Sequence, residues 1–294
     1  MRALRLATRG SPQASTQAGL VAAAITAATG RPTELVTITT TGDRKSSVPL
    51  HTIGGQGVFT KEVQVAVLDG RGDVAVHSAK DLPTTPAPGL EIGAFCARRD
   101  PADALVGRRL HHLAPGATVA SGSVRRRALL ADVRPDLQFV ELRGNIARRL
   151  EQLPAGGAIV MAVAALEILG LADRVAERLD PMQFVPAVGQ GCVAVECRDG
   201  DREVLAALAA VDDAPTRMAV TVERAFLAEL GSGCALPIGA HVAGGLLRTF
   251  LAGDGGTSRE RVALTGDLAT DVDLARAAAA RALSAATRGE VAGS

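Results

Sequence analysis

Short apolar runs alternate with longer amphipathic segments over the first two thirds of the chain. The apolar runs predict strands at Ala3–Thr8, Glu34–Thr39, Asp73–His77, Ala117–Ala120, Leu137–Leu142 and Ala158–Val163. The amphipathic segments predict helices that begin at Pro12, Phe59, Val124 and just after Asn145. Ser11 is a suitable N-cap for the first helix, and Gly30 is a suitable end. This alternation favours sheets with helices on both faces, in which ligands bind beyond the carboxyl ends of the strands.

The pattern changes after about Pro215. A long helix over Pro215–Leu230 is followed by short strands at Ile238–Val242, Leu246–Leu251 and Arg261–Leu264, and by a helix from Val272. These elements predict a smaller α+β domain. The segment Thr40–Gly57 is polar, rich in glycine and without periodicity, and a loop of this length is usually functional or disordered. We interpret it as a mobile lid rather than a plain surface loop.

Composition narrows the class of protein. The 294 residues are 47% hydrophobic, which is enough for sizeable cores and excludes wholesale disorder. The net charge is only +1, so a broad nucleic-acid-binding surface is not expected. Trp and Tyr are absent, which argues against aromatic stacking as the way a ligand is held. Only Lys45, Lys61 and Lys80 are lysines among the 32 basic residues, so almost every cation is an arginine.

The cysteines and the uncharged segments indicate a cytoplasmic protein. Four cysteines without a CxxC pair suit neither a disulfide framework nor structural zinc, and no metal site is predicted. The uncharged run Gly10–Gly30 superficially resembles a signal peptide, but serine, threonine and glutamine interrupt it. We therefore interpret it as a helix of a globular domain, and no membrane span is predicted.

Arginine side chains occur where three predicted strands end and a helix begins, and hydroxyl side chains accompany them at the first two of these junctions. Helix N-termini and guanidinium groups both favour anions. A single arginine near a helix start is more often a solvated or capping residue, but three such junctions predict a cleft for carboxylates or phosphates. The side chains concerned are Arg9 and Ser11, then Ser123, Arg125 and Arg126, then Arg143 and Arg149.

Two further positions carry candidate chemistry. Lys80 and Asp81 follow the predicted buried strand, and Asp81 is either half of a surface ion pair or a catalytic carboxylate. Cys234 lies in the turn GSGCALPIG, where small neighbours permit close approach to its sulfur, although a buried thiol is the commoner role of a free cysteine. His77 is interpreted as structural.

Taken together, these motifs resemble the porphobilinogen deaminase (hydroxymethylbilane synthase) family along nearly the whole chain. The matching segments are ATRGSP at Ala7–Pro12, HSAKDLP at His77–Pro83, SGSVRRR at Ser121–Arg127, LRGN at Leu142–Asn145, PAVGQG at Pro186–Gly191 and ERAFLAELGSGCALPIG at Glu223–Gly239. The resemblance implies an enzyme that joins four porphobilinogen molecules into linear hydroxymethylbilane and releases four ammonia molecules, in tetrapyrrole (heme) biosynthesis.

It also implies a covalent dipyrromethane cofactor, attached by a thioether to the cysteine that Cys234 matches. Asp81 matches the family's catalytic aspartate, which stabilises positive charge as ammonia leaves. The matching cofactor-binding positions are Lys80, Asp81, Ser123, Arg125, Arg126 and Arg143. The matching substrate-binding positions are Arg9, Ser11, Arg149 and Gln190.

The fold implied by the resemblance is α/β, with two periplasmic-binding-protein-like α/β domains plus a smaller C-terminal α+β domain. The first domain would comprise residues 1–97 and 192–210 with the lid 40–57, the second 100–185, and the third 214–294 with the cofactor cysteine. A monomer without nucleic-acid or membrane partners is expected. Two alternatives remain: a two-domain anion receptor without chemistry, and an anion-substrate transferase without a covalent cofactor.

Overall fold

The computed structural model describes residues 2–41, 57–231 and 236–287. Cys234 and most of the segment predicted as a lid lie outside the described residues. The chain forms two compact units, each built from two separate stretches of sequence. Unit 1 comprises Met1–Arg99 and Gly191–Arg217, and unit 2 comprises Asp100–Gln190 and Met218–Ser294. The three-domain boundaries stay a prediction.

Strands and helices alternate along most of the chain. The strands are β1 Leu4–Arg9, β2 Thr33–Ile38, β3 Val74–Ser78, β4 Leu90–Phe95, β5 Asp103–Gly107, β6 Thr118–Ala120, β7 Gln138–Val140, β8 Ala158–Ala162, β9 Val175–Arg178, β10 Val193–Arg198, β11 Ile238–Ala243, β12 Leu246–Gly253 and β13 Gly256–Ala263. The helices are α1 Pro12–Thr29, α2 Lys61–Leu68, α3 Val124–Val133, α4 Ile146–Leu150, α5 Val163–Ile168, α6 Arg202–Leu208, α7 Ala214–Glu229 and α8 Leu268–Thr287. Short 3-10 helices occur at Ala79–Asp81, Leu110–His112 and Ala172–Arg174.

Unit 1 contains a five-stranded sheet in the order β2-β1-β3-β10-β4. The first three strands are parallel, whereas β10 runs antiparallel to both of its neighbours. Helix α1 buries Ala18, Val21 and Ile25 against this sheet, in a core shared with Leu4 and Leu6 of β1. The helix starts where sequence signals place it, because the Ser11 side chain accepts a hydrogen bond from the backbone N–H of Ala14 (3.3 Å).

Unit 2 contains two sheets. The five-stranded sheet has the order β7-β6-β8-β5-β9, which repeats the arrangement of unit 1: three parallel strands, then a strand antiparallel to its neighbours, then an edge strand. The second sheet is antiparallel, in the order β11-β12-β13. One of its faces packs on α7 and α8 through Phe226, Leu251 and Ala279. Phe250, on the other face, joins the core of the five-stranded sheet.

The predicted fold class is confirmed, with two α/β sheets and a smaller antiparallel sheet covered by helices. The predicted strand at Arg261 begins earlier, at Gly256. The strand lies at the edge of its sheet, and most of its side chains are at least partly exposed. Its first residues are therefore polar and lack the apolar pattern of a buried strand. Strands β4, β5, β9 and β10 were not among those predicted. Each of them has only antiparallel partners, so none belongs to a parallel β-α-β unit that would mark its position in the sequence.

Candidate functional site

The end of β1 places Arg9 and Ser11 beside the start of α1. Arg9 is the last residue of the strand, and its guanidinium carbon lies 4.1 Å from the centre of the Phe59 ring. Stacking on an aromatic face orients a guanidinium while leaving its N–H edge available to a ligand. The turn between strand and helix is tight, since a Cβ at Gly10 would lie 3.1 Å from Cγ2 of Thr37.

Asp81 lies in the 3-10 helix that follows β3. The backbone N–H of Ala79 donates to the carbonyl of Cys192 (2.9 Å), the residue directly before β10. This hydrogen bond joins the start of the 3-10 helix to that strand. Asp81 is exposed, and Lys80 beside it is partly buried. Because β1 and β3 are parallel neighbours, both turns lie at the same edge of the sheet. A cavity of about 50 Å³ there is lined by Arg9, Ser11 and Asp81, with Phe59 among the other lining residues, so the structure brings these three predicted residues together.

Buried polar side chains support this edge of unit 1. Nε2 of His77 lies 3.1 Å from Oε2 of Glu196, and Nε2 of Gln64 donates to the same carboxylate (2.9 Å). All three side chains are at most 8% exposed. Ser78 donates a hydrogen bond to Oε1 of Gln17 (3.1 Å). These contacts fix the strand that leads to Asp81, in agreement with a structural role for His77.

In unit 2, Ser123 lies in the turn after β6, and Arg125 and Arg126 lie in the first turn of α3. Ser123 caps α3 by accepting from the backbone N–H of Arg126 (3.4 Å). Strand β7 is the parallel neighbour of β6, and a Cβ at Gly122 would lie 2.7 Å from the Leu142 carbonyl oxygen. Only glycine permits this approach, which brings the turn close to Arg143 at the next junction.

Arg125 and Arg126 bind an internal carboxylate that the sequence analysis did not identify. Nη2 of Arg125 donates to Oδ2 of Asp103 (2.8 Å), and its Nη1 donates to the Val185 carbonyl (2.7 Å). Nη2 of Arg126 lies 2.7 Å from Oδ1 of Asp103, and Gln190 donates to the same oxygen (2.9 Å). Arg125 is 4% exposed. Gln190 therefore belongs to this cluster, together with the two arginines.

The charges of the Asp103 cluster are strongly coupled. Burial disfavours the ionised carboxylate, but the charges of Arg125 and Arg126 and the hydrogen bonds from Arg126 and Gln190 outweigh it, so the pKa of Asp103 lies well below its usual range. Burial lowers the pKa of Arg125, and Asp103 opposes that shift. Two guanidinium groups share one carboxylate, so the cluster keeps one positive charge.

Arg143 and Arg149 flank the start of α4. Asn145 caps this helix by accepting from the backbone N–H of Arg148 (3.0 Å). Gly144 has a φ of 100°, a left-handed conformation that favours glycine, and its carbonyl accepts from Nε of Arg149 (2.8 Å). Both arginines are partly buried. Arg143 thus lies between β7 and α4, and Arg149 lies within α4. Strand β7 is the neighbour of β6, the strand that leads to Ser123.

Three residues near the predicted sites were not identified from sequence: Phe59, Asp103 and Glu196. Two of them carried a signal. Asp103 directly precedes the apolar residues of β5, and Glu196 follows those of β10. A buried carboxylate requires a cationic or hydrogen-bonding partner. No feature of the sequence near Phe59 predicted its contact with Arg9, because the two residues are far apart in the chain.

The remaining sequence expectations concern cysteines, metals and membranes. Burial raises the pKa of the Cys96 and Cys197 thiols to about 11. Over residues 2–41, 57–231 and 236–287, no group of three or more His, Cys, Asp or Glu side chains is arranged to hold a metal ion. None of the helices in those ranges has the length and apolar character needed to cross a bilayer.

Solved structures to which part of this chain is similar include periplasmic binding proteins. A periplasmic substrate-binding protein of an ABC transporter from Coxiella burnetii is 13% identical with a TM-score of 0.45, covering 73% of this chain and 94% of that chain. The methionine binding protein MetQ is 14% identical with a TM-score of 0.46, covering 73% and 91%.

Sequence comparison is far more specific. Residues 4–206 match the family model described as porphobilinogen deaminase, dipyromethane cofactor binding domain, and residues 217–283 match the C-terminal domain of porphobilinogen deaminase. Porphobilinogen deaminase of Mycobacterium avium is 50% identical over 242 residues, covering 81% of this chain and 76% of that protein. The enzyme of the same name from Acidothermus cellulolyticus is 49% identical over 247 residues, covering 81% and 74%. The chain belongs to the porphobilinogen deaminase family.

Proposed function

We propose that this protein is a hydroxymethylbilane synthase, a transferase of tetrapyrrole biosynthesis. It joins four porphobilinogen molecules into linear hydroxymethylbilane and releases four ammonia molecules. It acts as a cytoplasmic monomer on a dipyrromethane bound to Cys234. The observation that carries the proposal is the grouping of the Asp81 carboxylate with Arg9 and Ser11 around one cavity at the edge of unit 1. This grouping combines an acceptor for pyrrole N–H groups with donors for carboxylates.

The residues present suit a dipyrromethane. Each of its pyrrole rings bears an acetate and a propionate, which require cationic or hydroxyl donors. Ser123, Arg126 and Arg143 supply such donors in unit 2, and the cluster around Asp103 keeps one positive charge. Arg125 is buried with both Nη atoms hydrogen-bonded, so we propose that it acts by positioning Asp103 and Arg126. When bound, the cofactor supplies the free α-carbon on which the chain grows.

The chain's own residues orient the substrate and stabilise charge. Asp81 accepts hydrogen bonds from pyrrole N–H groups and stabilises the positive charge that develops as ammonia leaves. Lys80, beside it, binds a carboxylate of the cofactor. Arg9, Ser11 and Arg149 bind the substrate's acetate and propionate, at about 1.5–3 kcal/mol for each charge-assisted hydrogen bond. Gln190 holds Arg126 and Asp103 in place within unit 2.

Intact-protein mass spectrometry tests the covalent attachment. We expect the purified protein to exceed its sequence mass by two pyrrole units, and Cys234→Ser to lack the addition and the activity. An active protein with unmodified Cys234 would contradict the proposal. An unmodified wild-type protein that binds porphobilinogen without consuming it would instead favour an anion receptor.

Substitution of Asp81 tests the catalytic assignment. Asp81→Ala should keep the far-ultraviolet circular dichroism of the wild type, because this side chain is exposed, yet it should consume little porphobilinogen. The matched control is Asp69→Ala, since Asp69 is 58% exposed at the end of α2 and has no proposed role. Turnover by Asp81→Ala at the level of the control would refute the role of Asp81.

A further inference from the structure

Unit 2 contains a second cavity, of about 700 Å³, against the antiparallel sheet. Arg248 of β12 and Arg259 and Arg261 of β13 form one wall, and Asp132 and Asp180 belong to the other side. None of the residues to which the proposed function assigns a role lines it. Its volume lies within the range of small-molecule binding sites, about 300–1,000 Å³.

Two arginines face each other across the strands that form this wall. Arg248 and Arg261 are directly opposite in the register of β12 and β13, so their side chains share one face of the sheet. Like charges at such a position destabilise a strand pair. Arg259 lies two residues before Arg261 and therefore on the same face, where its guanidinium carbon is 4.8 Å from the Phe250 ring centre. Three arginines thus lie on one face of this wall, and the repulsion between the opposite pair, Arg248 and Arg261, destabilises the sheet.

Arg248 is buried without full hydrogen bonding. Arg248 is 6% exposed, and its Nη1 donates a hydrogen bond to the Ala243 carbonyl (3.4 Å). Among the described residues, none accepts a hydrogen bond from its Nε. The Nε–Nη2 edge of a guanidinium is one of the two that bind carboxylates and phosphates side-on. A buried donor without a partner carries a desolvation cost that a bound anion would remove.

The acidic side chains around the cavity have other partners. Asp132 pairs with Arg259 (2.8 Å), and Asp180 accepts from the backbone N–H of Met182 (2.9 Å). Glu260 pairs with Arg281 of α8 (2.8 Å). Within the described ranges, neither Arg248 nor Arg261 has a carboxylate at ion-pair distance. Among the described residues that line the cavity, these two guanidinium groups supply positive charge that no carboxylate balances.

We propose that this cavity is a second anion-binding site, in which Arg248 and Arg261 bind the carboxylate or phosphate group of a small organic molecule. Arg248 supplies the buried donor edge, and Arg261 supplies charge from the exposed rim. The ligand offsets the repulsion between the two arginines, so its binding stabilises the β12–β13 hairpin.

Amide hydrogen exchange with inorganic phosphate and with citrate as probes tests the site. It is read in peptides of β12 and β13, so that binding at other arginines of the full-length protein does not interfere. We expect one of the probes to slow exchange in these peptides. In Arg261→Gln, the Kd of the probe read from this protection should rise about tenfold, the equivalent of one charge-assisted hydrogen bond. Arg248→Lys keeps the charge but loses the bidentate edge and should weaken binding similarly. Since Arg261 is exposed, its variant remains informative if Arg248→Lys fails to fold.

Arg276→Gln is the matched control, because it removes an exposed arginine of α8 that pairs with Asp273 outside the cavity. In this variant, the probe should protect the amides of β12 and β13 as it does in the wild type. A response to phosphate alone indicates a phosphate ligand, and a response to citrate alone a carboxylate ligand. The proposal is overturned if neither probe protects the hairpin, or if Arg261→Gln is protected as well as Arg276→Gln. Porphobilinogen turnover is measured separately, so either proposal can fail alone.

Discussion

Replacement of Asp103 by asparagine isolates the energetics of the buried charge cluster. Asp103 is 1% exposed and lies 2.8 Å from Arg125 and 2.7 Å from Arg126. Asparagine has the same size and keeps one carbonyl acceptor, but it leaves two guanidinium groups without a counter-charge. Removal of one partner from a buried ion pair typically costs about 3–5 kcal/mol. We therefore expect Asp103→Asn to lower the free energy of unfolding of unit 2 by about that amount.

The pH dependence of this effect has a definite sign. The pKa of Asp103 is lowered by folding, so its contribution is fully present above the usual aspartate pKa of about 4 and is lost as pH falls toward the lowered value. The stability difference between wild type and Asp103→Asn should therefore be constant at neutral pH and shrink below about pH 4.

Urea unfolding followed by far-ultraviolet circular dichroism, with hydrogen exchange to separate the units, provides the measurement. Tryptophan fluorescence does not serve, because the chain contains no Trp. Asp136→Asn is the control: it removes an aspartate that pairs with Arg134 at 2.7 Å on the surface, where solvent weakens the pair. A loss from Asp103→Asn no greater than that from Asp136→Asn would refute the reasoning, as would a difference that grows in acid.

Two other predictions follow from contacts in unit 1. Phe59→Leu removes the ring beneath Arg9, a contact worth about 1 kcal/mol, and should raise KM for porphobilinogen about fivefold with kcat little changed; an unchanged KM in steady-state assays would contradict it. Cys96 and Cys197 have thiol pKa values raised to about 11, so at pH 8 only about a thousandth of each is thiolate. Peptide mapping should show slow alkylation of both in the native protein and fast alkylation in urea, whereas equal rates would refute the effect of burial.

The sequence was most informative about features that a short local pattern determines. The cap at Ser11 and the helix after Asn145 are local features, and strand–helix junctions indicated Arg9, Asp81 and Arg143 without knowledge of the tertiary structure. The partner of Arg125 could not be found this way. It depends on which strand lies beside α3, and β5, which carries Asp103, has no adjacent helix to mark it.

The same limit applies to the second cavity. Arg248 and Arg261 are ordinary arginines of two neighbouring strands until the register of β12 and β13 places them opposite each other. A register shift of one residue would move every side chain to the other face, and the sequence alone does not fix that register.

The position of β10 constrains how the protein is made. This strand lies between β3 and β4 in the sheet of unit 1, yet it is translated after the whole first stretch of unit 2. While the ribosome is still adding residues of that stretch, β3 and β4 have no common neighbour and both present open edges. Unit 1 therefore cannot complete its fold during synthesis until Arg198 has left the exit tunnel. A nascent chain that stalls earlier would expose these edges to chaperones or to other chains.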